Sequence, residues 1–191
     1  MRLHTRLRYA PAEVDVEKRA DGATVLRSPQ ALKPYARAVG DWLVHWHEHA
    51  PDRTFLAERK GDGWRRVSYR DALADARRIG QALLNLGLDA TRPVAILSDN
   101  SIDHALLALG AMHVGVPVAP ISPAYSLMSK DYAKLKYIFE LIRPGLVYAA
   151  DPEKFAPALA AVGATSTPVA KLLDTNPGST LEVAFSRLTP D

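Results

Sequence analysis

Five adjacent residues, His45-Trp46-His47-Glu48-His49, invite a metal reading, because His45 and His49 stand four apart and share one face of a helix, as ligands of helical zinc sites do. His47 points elsewhere, and Glu48 is not placed as in His-Glu-x-x-His. Two ligands without a distant third do not make a site, so histidines near a helix C-terminus are expected to serve the helix dipole, and no metal ligand is assigned. A second candidate is Ser98-Asp99-Asn100-Ser101, a polar loop between an apolar run and a helix. Ligands of open α/β sheets gather at the carboxyl ends of strands, and a helix N-terminus attracts anions, so this loop has the chemistry to hold a phosphate or carboxylate. Capping of the following helix by Asn100 or Ser101 explains the same residues without a ligand, and is the favoured expectation. His104 and His113 lie on an apolar helical stretch, where single histidines are expected to be hydrogen-bonded packing residues.

No Gly-x-Gly-x-x-Gly, Gly-x4-Gly-Lys-Ser/Thr, Gly-x-Ser-x-Gly or His-Glu-x-x-His occurs in the 191 residues. Gly61-Asp62-Gly63 is a hairpin turn signal. Cysteine is absent, which excludes a disulfide framework, Cys-based zinc sites and a thiol nucleophile, and fits a reducing compartment. The net charge is +3, without the one-sided basic excess of a nucleic-acid binder. Residues 105–129 carry no formal charge, but Pro117, Pro120 and Pro123 together with Gly110 and Gly115 argue for a buried helix and strand rather than a membrane span. The basic start (Arg2, Arg6, Arg8) is followed by no apolar segment of a secretory signal.

The elements that must position these residues follow from patterning. Residues 14–27 read as a hairpin turning at Ala20-Asp21-Gly22, residues 41–49 as a short helix stopped by Pro51, and 54–67 as a second hairpin. A helix is expected over 69–86, opened by the Ser68-x-x-Asp71 pattern and closed by Gly87. Leu73, Ala76, Ile79/Gly80, Leu83 and Leu86 would form its apolar face, with Arg70, Asp75, Arg77, Arg78, Gln81 and Asn85 opposite. Beyond Pro93 the texture changes to strands at 94–97, 117–121, 146–149 and 169–173, with helices at 102–113, 131–142 and 151–162 between them and a short helix at 181–188. Strand starts recur at roughly 22–29-residue intervals with one helix in each gap, which predicts βαβ units: an α/β fold with a parallel doubly wound sheet flanked by helices and preceded by hairpins. The four strands should share one sheet. Three segments follow: 1–40, a hairpin and irregular stretch; 41–173, the α/β body; and 174–191, a tail. Lys130, Lys134 and Lys136 should lie on one exposed, solvated helix.

The order of these motifs is specific. Val67-Ser68-Tyr69-Arg70-Asp71, the helix ending Leu84-Asn85-Leu86-Gly87, Arg92-Pro93-Val94-Ala95-Ile96-Leu97 and Asn100-Ser101 resemble the opening of the adenylate-forming (AMP-binding) acyl-CoA synthetases. Leu109 to Ile121, a helix ending in Gly and a strand ending in Val-Pro-hydrophobic, resembles that superfamily's second core motif, and Ala50-Pro51-Asp52-Arg53-Thr54-Phe55-Leu56 its entry. The resemblance covers about residues 41–150. The closer match is to the feruloyl-CoA synthetase branch, which Arg8-Tyr9-Ala10-Pro11, Trp42-Leu43-Val44-His45-Trp46, Phe55-Leu56-Ala57-Glu58-Arg59, Ile121-Ser122-Pro123-Ala124-Tyr125-Ser126-Leu127 and Pro144-Gly145-Leu146-Val147-Tyr148-Ala149-Ala150-Asp151 resemble.

The resemblance implies the N-terminal subdomain of an enzyme that joins a small aromatic carboxylate to ATP and then to coenzyme A with magnesium, in the cytoplasm, without nucleic-acid or membrane partners. The family's Ser/Thr/Gly-rich phosphate loop ending in Pro-Lys does not occur in the sequence, nor do its later nucleotide-binding, hinge and lysine motifs. No catalytic, cofactor-binding or metal position is therefore carried over. The expectation is an N-terminal fragment that lacks activity alone, with Tyr132, Tyr137, Phe139 and the 183–188 stretch offering exposed apolar surface for self-association. The rival expectation is a stand-alone α/β binding module that keeps the scaffold without the chemistry. A hydrolase reading lacks a nucleophile elbow.

Overall fold

The computed structural model describes residues 13–190, in two compact units that divide between Tyr35 and Ala36. The basic start at Arg2, Arg6 and Arg8 and the segment Arg8 to Pro11 lie outside the described residues. The first unit holds an antiparallel hairpin, β1 (Asp15–Lys18) and β2 (Thr24–Arg27), turning through Gly22 at φ +84° as the Asp21-Gly22 signal predicts.

The second unit begins with α1 (Val39–His49) and a hairpin of β3 (Thr54–Lys60) and β4 (Gly63–Ser68). Helix α2 (Tyr69–Asn85) starts where expected: Ser68 Oγ accepts from the Asp71 amide at 3.1 Å and donates to Asp71 Oδ2 at 2.7 Å. It ends at Gly87, whose φ of +70° is the left-handed geometry a side chain would resist. Then follow β5 (Val94–Leu97), α3 (Ile102–His113), β6 (Val118–Pro120), α4 (Ala124–Leu127), α5 (Ala133–Ile142), β7 (Leu146–Ala149), α6 (Ala156–Ala161), α7 (Val169–Leu173) and α8 (Ser179–Ser186).

The three strands after Pro93 form one parallel sheet in the order β6-β5-β7. Side chains of a strand alternate between faces, and the sequence uses both. Val94, Ile96, Leu146 and Tyr148 enter a core with Ile79 and Leu83 of α2 and Leu106 and Leu107 of α3. Ala95, Leu97, Val147 and Ala149 face a second core with Leu135 of α5, and Phe155 and Leu159 at α6. A strand apolar at every position is what a sheet covered on both sides requires.

Four expectations need correction. Residues 169–173 are helix α7, not a fourth strand. Val169 and Leu172 are buried while Ala170 and Lys171 are exposed, a period of three rather than two; a five-residue apolar run is too short for its composition to separate the two. Beside β7 the sheet instead ends in a single parallel bridge at Ser166, with the Thr167 amide donating to Val147 O at 2.8 Å.

Gln81 is buried rather than on the polar face of α2. Its amide donates to Asn85 Oδ1 and Thr180 Oγ1 and accepts from the Gly178 amide, all at 2.9 Å, so it ties the start of α8 to α2. Lys130 precedes α5, and only Lys134 and Lys136 lie on it, exposed. Of the aromatics expected on an open surface, Tyr137 is 65% exposed, whereas Tyr132 and Phe139 pack against the second core.

Candidate functional site

The loops leaving β5, β6 and β7 meet at the carboxyl edge of the sheet, where open α/β folds place their ligands. Ile121 N donates to Ile96 O at 2.9 Å and Ala150 N to Leu97 O at 3.2 Å, which fixes the two outer loops to the central strand. At this edge α3 begins. Ser101 Oγ accepts from the His104 amide at 3.1 Å, the cap expected from the sequence.

The remaining reach of the α3 N-terminus is filled by the protein itself. Glu58 Oε2 accepts from the Ile102 amide at 2.7 Å. Arg65 Nη1 donates to Glu58 Oε1 at 3.2 Å and to Asp103 Oδ1 at 2.9 Å, holding the hairpin against the helix. Glu58 and Arg65 are cross-strand partners in β3–β4. Burial raises the Tyr148 phenol above its ordinary range, and the Asp103 charge adds to this while Ser101 opposes it.

An anion that would dock on this helix end meets a carboxylate already seated. Glu58→Ala should therefore cost about 1–3 kcal/mol, because it leaves the Ile102 amide without its acceptor and Arg65 with Asp103 alone. It should also open the end to solute anions: added phosphate should raise the melting temperature of the variant and leave the unmodified chain unchanged. A thermal melt with and without phosphate reads both.

Two cavities flank the sheet. One of about 500 Å³ lies between β3 and α3, apolar along Phe55, Leu56, Leu109 and Met112, with Ser101 and His104 among its polar residues. A larger one, about 820 Å³, lies at the opposite, amino-terminal edge and carries Arg92, Lys136 and Arg143 with Glu140. The C-caps of α2, α5 and α6 (Leu86, Arg143 and Val162) all line it. Helix C-termini carry partial negative charge, so cations there complement the dipoles; Arg92 Nη1 donates to Gly87 O at 3.1 Å in this way. Its greater volume does not make it the site, since three carbonyl ends disfavour an anion and the sheet's ligand edge is the other one.

The histidines divide. His45 and His49 stack at 4.0 Å between centroids, and His49 Nδ1 lies 2.7 Å from His45 O, so their nitrogens do not converge on an ion. Among the described residues no group of three or more His, Asp or Glu could hold a metal. His104 Nδ1 lies 3.3 Å from Asp99 O. His113 departs from expectation: it is fully buried, and neither ring nitrogen has a hydrogen-bond partner. The ring stacks instead on Phe185 of α8, 4.0 Å between centroids and 9° from parallel.

A triphosphate requires convergent amides, hydroxyls and cations. The described residues at the carboxyl edge offer a filled helix end and an internally neutralised Arg65, so they do not fit such a group and no step is derived through it.

The profile of the family described as AMP-binding enzyme matches residues 43–188. The chain belongs to this family. Among curated proteins, the chain is 31% identical over 101 residues to the long-chain-fatty-acid CoA ligase ACSBG1 of Rattus norvegicus, covering 51% of the chain and 14% of that protein. The Homo sapiens ligase of the same name is 30% identical over 106 residues, covering 56% and 15%. The chain thus spans about one seventh of the length of these relatives.

Among solved structures, a putative long-chain-fatty-acid CoA ligase from Rhodopseudomonas palustris aligns with TM-score 0.61 at 24% identity, over 74% of the chain and 37% of that one. A fatty acyl-adenylate ligase from L. pneumophila aligns with TM-score 0.60 at 16% identity, over 75% and 26%. The N-terminal domain of FACL13 from Mycobacterium tuberculosis aligns with TM-score 0.57 at 22% identity, over 82% and 37%. At these identities the likeness is one of fold. No described helix of the chain is long and apolar enough to cross a membrane.

Proposed function

We propose that this chain supplies the amino-terminal, sheet-bearing part of an ATP-dependent carboxylate–CoA ligase. In that reaction a carboxylate oxygen attacks the α-phosphorus of ATP and pyrophosphate leaves. The thiol sulfur of coenzyme A then attacks the acyl carbon and AMP leaves, with magnesium as the expected ion. The observation that carries this reading is the uninterrupted family match over residues 43–188, which takes in both cores and the whole parallel sheet. On this reading the α/β body at 41–173 is scaffold, the 174–191 tail leads toward the nucleotide-binding part, and the enzyme works in the cytoplasm. A small aromatic acid of the ferulate type is the proposed substrate, supported by the segments at 42–46, 55–59, 121–127 and 144–151 that resemble feruloyl-CoA synthetases. A long-chain fatty acid is the second reading, favoured by the names of the curated relatives.

A chimera tests the scaffold role. Residues 43–188 replace the matching segment of a full-length acyl-CoA ligase, and carboxylate-dependent ATP–pyrophosphate exchange is measured with ferulate and with palmitate. Retained exchange within about tenfold of the host supports the reading. A rise in the ferulate-to-palmitate ratio supports the aromatic assignment, and a fall favours the fatty-acid one. A soluble, monodisperse chimera with no exchange on either acid overturns the proposal.

A further inference from the structure

His113 sits at the end of α3 where α1, α2 and α8 meet, and nothing in the family assignment uses it. Its ring is fully buried and makes no hydrogen bond, yet it is one face of a three-layer stack. Phe185 of α8 lies on it, and the Arg37 guanidinium covers Phe185 at 4.8 Å from the ring centroid. Arg37 is held from behind by both oxygens of Asp41, at 3.2 and 3.1 Å. It also caps the last turn of α8, donating to Phe185 O at 3.1 Å and Ser186 O at 3.0 Å. Gly40 lets α1 close on this stack: a Cβ there would stand 2.8 Å from Phe185 Cε2 and 3.0 Å from His113 Nδ1. Two further contacts hold α8, the Arg77–Glu182 ion pair and the Gln81 amide at its start.

We propose that the His113–Phe185 stack is a proton-sensitive latch: α8 stays docked on α1, α2 and α3 while His113 is neutral, and acidification releases α8 with the rest of the unit still folded. A charged imidazole in this position has no protein acceptor to bond and is shut off from bulk solvent, whereas an undocked one is hydrated. The charged groups around it come from each packed element: Arg37 and Asp41 at α1, Arg77 on α2 and Glu182 on α8. Burial is the largest influence and Arg77 the next; both hold the imidazole down to about 4, with Arg37 adding, and Glu182 and Asp41 pulling the other way.

The sign follows. Above the ordinary imidazole range both states are neutral and docking is unaffected. As pH falls below about 6.5 the released state takes up a proton that the docked state refuses, so docking weakens until the docked imidazole itself titrates near 4. Between pH 7 and pH 5 the opening equilibrium of α8 should rise about twentyfold.

Native-state hydrogen exchange on the full chain, corrected for intrinsic rates, reads this directly. Amides of 179–186 should show the rise at an opening free energy well below that of Ile79 to Leu83 in α2, which open only with the whole unit. His113→Phe keeps the stack and removes the titration, and should abolish the pH dependence; His113→Leu serves if the first variant does not fold, with the same loss expected. A pH dependence of the same size in either variant, or opening of 179–186 only together with α2 at one common free energy, overturns the latch.

Discussion

Gly110→Ala is expected to destabilise the second unit by about 3 kcal/mol, at the upper end of the range for overpacking a close-packed interface. Two effects compete. Alanine is the better helix former, which alone would favour the variant by about 1 kcal/mol. Against this, a Cβ at Gly110 would stand 2.6 Å from Ile79 Cγ2, 2.7 Å from Ile79 Cβ and 3.0 Å from Ala76 O. None of these atoms is the free end of a flexible side chain. Ile79 is β-branched and fully buried, and the carbonyl belongs to α2 itself, so relief requires the two helices to separate.

The facing Gly80 is in the same position, with Gly110 O only 3.0 Å from where its Cβ would lie. The α2–α3 crossing is therefore a backbone-to-backbone approach around which the first core is assembled. The clash should win over propensity. Urea unfolding checks it: a fall in midpoint at unchanged slope is the expected result. An unchanged or higher midpoint would mean that the helices do not approach this closely.

That crossing was only half legible in the sequence. The apolar face of α2 through Leu73, Ala76, Ile79 and Leu83 follows from helical spacing, and all four are buried. Helical spacing groups Leu86 with them, yet it is 53% exposed, because the helix ends at Asn85 and its side chain falls beyond the core. What periodicity cannot report is which glycine meets which residue of another helix, since it describes one element at a time.

The same limit explains the site. Ser101 as a cap was readable from local pattern, but Glu58 lies 44 residues from the Ile102 amide it accepts from. One signal was available: a hairpin turning at Gly61-Asp62 pairs Glu58 with Arg65, so an opposite-charge pair was foreseeable there, though not its destination. The misread of 169–173 has a different cause. Five apolar-rich residues after a proline satisfy both strand and helix patterns, and the deciding quantity is which of them the neighbouring helices bury. Burial on α8 likewise converted Gln81 from an expected surface residue into a buried tie.

On the proposed function these residues are the scaffold of an adenylating enzyme without its phosphate cradle. Positioning and electrostatic stabilisation of the triphosphate make up most of the catalytic effect in phosphoryl chemistry, and an α3 N-terminus filled by Glu58 supplies neither. Lys134 and Lys136 do not substitute: both are exposed, and Lys134 rests over the Tyr125 ring, 5.2 Å from its centroid.

The direct measurement is carboxylate-dependent ATP–pyrophosphate exchange by the folded 191-residue chain alone, with magnesium and with ferulate or palmitate. Exchange indistinguishable from the protein-free blank is expected for both acids. Exchange above that blank, dependent on the added acid and persisting at constant specific activity through repurification, would contradict it and place a working adenylation site within these residues.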